Sequence, residues 1–404
     1  MDLPGVPSAL LEELRSAALE ERIQALALVG GAVRDALLLQ RHGRAWPGLA
    51  DLDLVVEGDA AVLASALLRR AGPQRISHCI EHDRFGTVSL RLDGEPLDLA
   101  TARAEAYPEP GMNPVVTPGS LQADLVRRDF TINAMALDLL SGHLVDPHGG
   151  QADLDAGLLV FLHDGSVADD PTRVIRAARY AARLDFDLSP AARHQVTTTL
   201  AAWPWSWRPG DSAEKAPPAL STRLRMELDR LFLNEPWARA LDHLEAWQAM
   251  PLLDPALQQD PLRKRRLRRA RSLGLPLLPA LLAAATDPSA AARRLQIPGQ
   301  QLLWLEQLAE LRHWLQQNNG PAPEAQPSVW TAAIEAQGWR PEAVALAVCA
   351  GVPSWRPLLR WWGRWRHTAA PLQARDLIGA GWRPGPGLGA ELQRLRFQRL
   401  DQSR

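Results

Sequence analysis

Three stretches of this chain hold residue types whose spacing could do metal and phosphate chemistry. In "DLDLVV" Asp51 and Asp53 stand two apart. Side chains on a strand alternate between faces, so both carboxylates would leave the same face. Two carboxylates so placed repel unless a cation lies between them. Mg²⁺ suits the pair, because it takes oxygen ligands, often one or two carboxylates plus substrate phosphates. A solvated strand end is the plainer reading of Asp-x-Asp alone. A third carboxylate would come from Asp98 in "PLDLAT" if its hairpin lies beside that strand; an exposed hairpin acid is the alternative. In "VGGAVRD" (29–35), Gly30 and Gly31 end a strand and open a helix. Backbone N–H groups there can approach phosphate oxygens closely, and the helix dipole favours the anion. Arg34, one turn in, could pair with a phosphate in the same cradle. A tight turn without a ligand is the rival reading.

The third stretch is "DDPTRVIRAARYAARLDF" (169–186). At 100° per residue, Arg173, Arg176, Arg179 and Arg183 fall within about 120° of arc, and Val174, Ala178 and Ala181 form an apolar back. No Asp or Glu stands three or four residues from Arg176 or Arg179 to neutralise them. They read as a stripe waiting for an external anion, or as a solvated face.

The elements that must position these residues are α/β up to about residue 150 and almost wholly helical thereafter. "ALALVGGAVRDALLL" (25–39) reads as strand, turn and helix, and "LADLDLVVEG" (49–58) as a second strand. "TVSLRLDGEPLDLAT" (87–101) is a hairpin about an Asp93-Gly94 turn. "YPEPGMNPVVTPGSLQ" (107–122) lacks periodicity and reads as a long surface loop. "RRDFTINAMALDLLSGHLVDPHGG" (127–150) gives a turn, a short helix and a strand pair about Ser141-Gly142. Pro-rich stretches near 204–218 and 317–328 interrupt the helical part.

A chain of 404 residues needs more than one core. Its composition, 46% hydrophobic and 23% charged, is that of a soluble globular protein, and no run is apolar enough to span a membrane. The two cysteines, Cys79 and Cys349, have no metal-type spacing and read as buried thiols in a reducing compartment. The N-terminus lacks an apolar signal core, which points to the cytoplasm. A net charge of −1 conceals basic blocks, "PLRKRRLRRARSLG" (261–274) and "SWRPLLRWWGRWRH" (354–367). Arginine among tryptophans suits phosphate pairing plus base stacking, or equally a tryptophan-rich helical core with an arginine rim.

The glycine pair, Asp-x-Asp some twenty residues on, "RRDFTINAMA" (127–136) and "DDPTRVIRAARYAARL" (169–184) occur in a fixed order. In this order the chain resembles the class II tRNA nucleotidyltransferase and poly(A) polymerase family, within the polymerase-β-like nucleotidyltransferases. The resemblance is specific over 25 to about 190. It revives weakly at "STRLRMELDRLF" (221–232) and "RDLIGAGWRPGPGLGAEL" (375–392). It implies an α+β fold: an N-terminal nucleotidyltransferase head with a mixed or antiparallel sheet (1–150), then a helical neck (151–232), body (233–370) and tail (371–404).

By resemblance, Asp51 and Asp53 match the metal-binding pair. Gly31 and Arg34 match nucleotide contacts of the glycine motif, with Gly30 beside them. Arg128 matches a nucleotide contact and Asn133 orders the sugar or the turn. Asp170, Arg173, Arg176 and Arg179 match the nucleotide-selecting helix, although Asp169 stands where the family often has Glu. The implied reaction is metal-dependent addition of C and/or A, from CTP and ATP, to the 3′ end of tRNA, with two Mg²⁺ ions and release of pyrophosphate. The implied partner is tRNA, its 3′ end and its elbow; neither a membrane nor a protein partner is implied. Whether the product is CCA, CC, A or a poly(A) tail stays open.

The base choice has a physical logic of its own. Cytosine and adenine present an amine donor beside a ring-nitrogen acceptor; uracil and guanine present an oxygen acceptor beside an N–H donor. An acceptor Asp170 with a donor Arg173 one turn on suits the first pair and opposes the second. Two other classes compare poorly. A dinucleotide-dependent oxidoreductase fails because the Gly-x-Gly-x-x-Gly spacing is missing. An inactive RNA-binding protein on the same fold conflicts with an intact set of Asp51, Asp53, Arg128, Asp170 and Arg173. After residue 232 no histidine is followed by Asp, which argues against an appended metal phosphohydrolase.

Overall fold

Near-continuously buried runs at 25–29 and 52–57 and alternating ones at 87–92 and 95–101 assemble the first part of the chain into a sheet. The computed structural model describes residues 3–46, 52–82, 86–317 and 319–402. Helix α1 (Ser8–Glu20) precedes β1 (Ala25–Val29), α2 (Gly31–His42), β2 (Leu52–Glu57), α3 (Ala60–Ala71) and β3 (Ile76–His82). Then come β4 (Thr87–Leu92), β5 (Glu95–Thr101), β6 (Arg103–Ala106), β7 (Val115–Pro118), α4 (Leu121–Val126), β8 (Ala136–Asp138) and β9 (Leu144–Val145). Seven of these strands form one mixed sheet in the order β3-β4-β5-β2-β1-β8-β9. Only β2 and β5 run parallel, with Asp53 beside Asp98 in register; every other pair is antiparallel. The expected α+β class with a mixed sheet is what the chain adopts.

The two faces of the sheet bury different partners. Helix α3, capped by the Asp59 side chain, lies against β3, β4 and β5, and α1 packs on α3. On the other face Leu121 and Leu125 of α4 cover Ala27, Val29, Val55, Ala102 and Ala136. Asp53 shares this second face with Val55, two residues on.

The stretch 107–122 is less irregular than its composition suggests. Val115–Pro118 pairs with Arg103–Ala106 as a separate two-stranded ribbon, so the loop proper is short. Backbone pairing supplied by a neighbouring segment overrides the absence of periodicity. Cys79, expected to be buried, is exposed, because β3 is an edge strand that turns most of its residues to solvent. Cys349 is buried, and burial pushes its thiol up to about 12.

After the sheet, α5 (Gly150–Ala156), α6 (Ser166–Asp169), α7 (Thr172–Leu184), α8 (Pro190–Ala202), α9 (Thr222–Asn234) and α10 (Trp237–Ala246) follow. A two-rung parallel pair, 158–159 with 187–188, interrupts this helical run. The chain divides into two units. One comprises Met1–Trp207, Pro217–Glu227 and Asn234–Ala249; the other comprises Arg208–Ala216, Leu228–Leu233 and Met250–Arg404. The second unit is helical, with Pro341–Ala350 at its centre, buried from Ala343 to Cys349. No helix among the described residues is long and apolar enough to cross a membrane.

One contact ties the sheet to the helices behind it. Both Asp146 carboxylate oxygens accept from the first N–H groups of α5, those of Gly150 and Gln151, and Thr131 donates to Asp153 at 2.6 Å. A Cβ on Gly150 would collide with the Thr131 carbonyl oxygen and approach Met135 Cγ to 2.9 Å. Gly150→Ala is therefore expected to destabilise the first unit by about 1–3 kcal/mol, as overpacking does. Urea denaturation followed by circular dichroism measures this.

Candidate active site

The carboxylates sit where the apolar face of the sheet gives way to solvent. Val55 is covered by α4, whereas Asp53, two residues earlier on the same face, is exposed. Parallel register sets Asp98 beside it, and Asp98 accepts a hydrogen bond from the Ser89 hydroxyl at 2.5 Å. Asp51 lies outside the described residues. Asp53 and Asp98 line one cavity of about 380 Å³ together with Arg103, Arg127 and Arg128. Two oxygen-donor side chains on neighbouring strands, open to a cavity, fit a hard cation such as Mg²⁺. Among the described residues no third acid, histidine or cysteine joins them to complete a metal cluster.

A second cavity, of about 330 Å³, shares Asp53, Arg127 and Arg128 with the first and continues to Gly30, Gly31, Tyr107, Asn133, Asp170, Arg173, Arg176 and Arg223. Its walls follow from local chain geometry. Gly30 has φ +70°, a left-handed conformation natural to glycine, and a Cβ there would lie 3.3 Å from Arg128 Nη1. Arg127 and Arg128 each donate to a different oxygen of the fully buried Asp124, at 2.6 and 2.8 Å. Asp129 accepts from Asn133 and from Arg176. Burial would raise the Asp129 carboxyl, but Arg176 and Asn133 hold it below its ordinary value.

Helix α7 behaves differently from an unpaired arginine stripe. Its apolar back, Val174, Ala178 and Ala181, is fully buried as expected. Three of its arginines are neutralised, but by acids far away in the sequence. Arg176 pairs with Asp129 and Glu227, Arg179 with Glu227 and Glu235, and Arg183 with Glu235. The Arg176 guanidinium is raised despite its burial, chiefly by Asp129. The Tyr180 ring sits among Arg34, Arg176 and Arg183, each guanidinium between 5.1 and 5.7 Å from its centroid.

Asp170 and Arg173 both face the second cavity. Asp170 Oδ1 accepts from the Thr172 backbone N–H and hydroxyl, and Arg223 donates to Oδ2. Arg173 donates to the carbonyls of Arg127 and Ser166, at 3.0 and 3.3 Å. His163 Nε2 lies 3.5 Å from Arg173; burial and that guanidinium push its imidazole below its usual value.

The structure departs from the sequence reading at two site residues. Arg34 is 3% exposed and does not line the cavity. It clasps both oxygens of Asp35 and donates to Asn133 Oδ1 at 2.8 Å, so it acts on the cavity through Asn133. Arg179 stands behind Arg176, held by Glu227 and Glu235 through its two terminal nitrogens, and is likewise absent from the lining. In both cases a nearby acid captures the guanidinium in a desolvated setting, where an unpaired charge is costly. Sequence reasoning missed Glu227, Glu235, Tyr107 and Arg223. The segment 221–232 carried a signal, but nothing in it singles out Arg223 or Glu227 from their neighbours.

In the second unit the arginines and tryptophans mostly serve each other. Trp361 and Trp365 are buried. Arg366 covers Trp362 at 4.1 Å, and Arg269 and Arg356 flank Trp355 at 4.6 and 5.0 Å. Within the basic block, Arg266 is buried, donating to Ala280 O and paired with Asp260.

A glycine-cornered strand and helix beside paired carboxylates and an arginine-lined cavity are features of nucleotidyl transfer. Residues 26–160 match the poly A polymerase head domain, and the chain is a nucleotidyltransferase. It is 35% identical over 380 residues to the CC-adding tRNA nucleotidyltransferase of Deinococcus radiodurans, covering 92% of this chain and 83% of that one. On that likeness the chain belongs to the tRNA nucleotidyltransferase family. The A-adding tRNA nucleotidyltransferase of Aquifex aeolicus is 46% identical over 165 residues, which span 40% of this chain and only 19% of that relative. The fold resembles that of a Thermotoga maritima CCA-adding enzyme complexed with tRNA, at a TM-score of 0.68 and 23% identity over 99% of this chain and 93% of that one.

The buried ladder makes a stability prediction. Glu235→Ala removes the acceptor shared by Arg179 and Arg183 and leaves buried positive charge behind. It is expected to cost about 3–5 kcal/mol in a chemical denaturation experiment. Glu306→Ala, which opens an exposed pair with Arg293, is expected to change little.

Proposed function

We propose that this enzyme adds C and/or A, taken from CTP and ATP, to the 3′ end of tRNA without a template strand. The observation that carries this reading is the pair of cavities meeting at Asp53, Arg127 and Arg128. The arginine-lined cavity suits a nucleoside triphosphate, and the one holding Asp98 suits the RNA end. In the transfer the RNA 3′-oxygen bonds to the α-phosphorus, the bond to the β-phosphate oxygen breaks, pyrophosphate leaves, and the hydroxyl proton passes to solvent. Mg²⁺ held by Asp51 and Asp53, with Asp98 close by, would supply charge neutralisation and a more acidic 3′-hydroxyl. Arg128 and Arg176 then neutralise the triphosphate, and Gly30 and Gly31 let it approach the backbone. Asn133, held by Arg34 and Asp129, orders the sugar side.

Base choice falls to Asp170 and Arg173, which accept from the amine and donate to the ring nitrogen of C or A. Division of labour along the chain follows the family: head 1–150, neck 151–232, body 233–370 and tail 371–404, the last two gripping tRNA. The working compartment is the cytoplasm. A narrower reading, a CC-adding specialist, is favoured by the near full-length likeness to the Deinococcus radiodurans enzyme.

The test supplies tRNA ending at the discriminator base, at C, or at CC, with CTP, ATP or both. Asp53→Ala is expected to lower incorporation by about a thousandfold or more, equivalent to several kcal/mol of lost transition-state stabilisation. Incorporation that survives this change overturns the mechanism and favours an RNA-binding role. Arg173→Ala is expected to relax discrimination against UTP and GTP by about tenfold or more. Two C residues added with no A, even on a CC-ending tRNA, identifies the CC specialist.

A further inference from the structure

Arg103 is a cation of the site for which neither the metal pair nor the nucleotide-selecting helix accounts. Side chains alternate along a strand, so Arg103 and Glu105 leave the same face of β6. Arg103 donates to Glu105 Oε1 through Nε and Nη2, at 3.2 and 3.0 Å. Arg127 shares that oxygen at 3.1 Å, and it shares the Asp124 carboxylate with Arg128. Three guanidinium groups are thus spread over two carboxylates, and one positive charge of this cluster is left over.

Arg103 is also the most open of the three. Its side chain is 25% exposed, against 18% for Arg127 and for Arg128. Its Nη1 has no hydrogen-bond partner among the described residues and, unlike the sealed Nε of Arg128, is open to solvent. With two nitrogens of the planar fork held by Glu105, the third is presented in a fixed direction. Arg103 lines the cavity that holds Asp53 and Asp98, and it is absent from the lining of the one that holds Asp170 and Arg173. It therefore faces the RNA end rather than the nucleoside triphosphate. The anion nearest to a reacting 3′-oxygen on an RNA strand is the phosphodiester one ribose upstream.

We propose that Arg103 binds the RNA end: its open Nη1 pairs with the phosphodiester joining the last two nucleotides of the tRNA and so holds the 3′-hydroxyl at the carboxylates. This rests on the nucleotide-adding reading above. A phosphate contact fixes position without reading sequence, so one arginine serves whichever base ends the RNA. Glu105 is then a positioning residue, aiming Arg103 at the RNA end and steadying Arg127 where the two cavities meet.

The test neutralises each side of the contact in turn. Arg103→Ala removes the cation; Arg103→Gln removes the charge but keeps a donor for Glu105. Each enzyme is given a tRNA lacking its 3′ CCA, with either a normal phosphate or an uncharged methylphosphonate at its last linkage. Equilibrium binding of the RNA and steady-state addition from CTP are measured. In the wild type the methylphosphonate is expected to weaken RNA binding and raise the KM for RNA by about tenfold, as loss of a charge-assisted hydrogen bond does. Both variants are expected to show that loss on normal RNA and no further loss on the methylphosphonate, with the KM for CTP and the thermal unfolding of the wild type. Equal sensitivity to the neutral linkage in wild type and both variants overturns the proposal. So does a neutral linkage that costs the wild type nothing, or a rise in the KM for CTP as large as that for RNA. A wild type that adds neither C nor A overturns the broader reading instead, and the binding comparison still decides the role of Arg103.

Discussion

The site depends on guanidinium groups held by buried carboxylates. Asp124 fixes Arg127 and Arg128, Asp129 fixes Arg176 and Asn133, and Glu227 with Glu235 fix Arg176, Arg179 and Arg183. No single pair of this kind is a secure source of stability, because desolvation offsets most of the attraction. Its consequence is orientation. Side chains that would otherwise sample many rotamers are pinned, so the donors lining the cavity need little reorganisation when a polyanion arrives.

A second constraint is strand register. Asp53 and Asp98 become neighbours only because β2 and β5 run parallel with these residues opposite each other. A slip of one residue would turn one carboxylate to the opposite face, under α3. Helix α4 enforces the register by burying Val55 and Ala102 on the face that carries Asp53 and Asp98. The apolar core and the proposed metal ligands are thus successive positions of one alternating pattern.

The proposed nucleotide selection would need no template, because protein side chains would themselves present a base-like edge. Asp170 is held in one orientation for that proposed role by Thr172 and Arg223. The helix carrying Arg223 and Glu227 bears on the cavity twice, through the pairing of Arg223 with Asp170 and through that of Glu227 with Arg176.

Local order was legible without coordinates wherever a residue answers to its own neighbours. The strand, glycine turn and helix over 25–42, the hairpin about Asp93 and Gly94, and the apolar back of α7 follow from periodicity and turn chemistry. The chemistry-bearing motifs were legible for the same reason, since Asp-x-Asp and Arg-Arg-Asp are short. The ribbon pairing of 115–118 was hidden because its partner strand, not its own composition, supplies the hydrogen bonds. So were the partners of the α7 arginines: a helix displays its i+4 neighbours in sequence, but Glu227 and Glu235 arrive from some fifty residues away. By itself, then, the sequence determined the elements, the class of chemistry and the residues that could perform it. Only the tertiary structure decided which guanidinium groups face the cavity and which are spent on buried acids, because that depends on desolvated contacts between segments the chain order keeps apart.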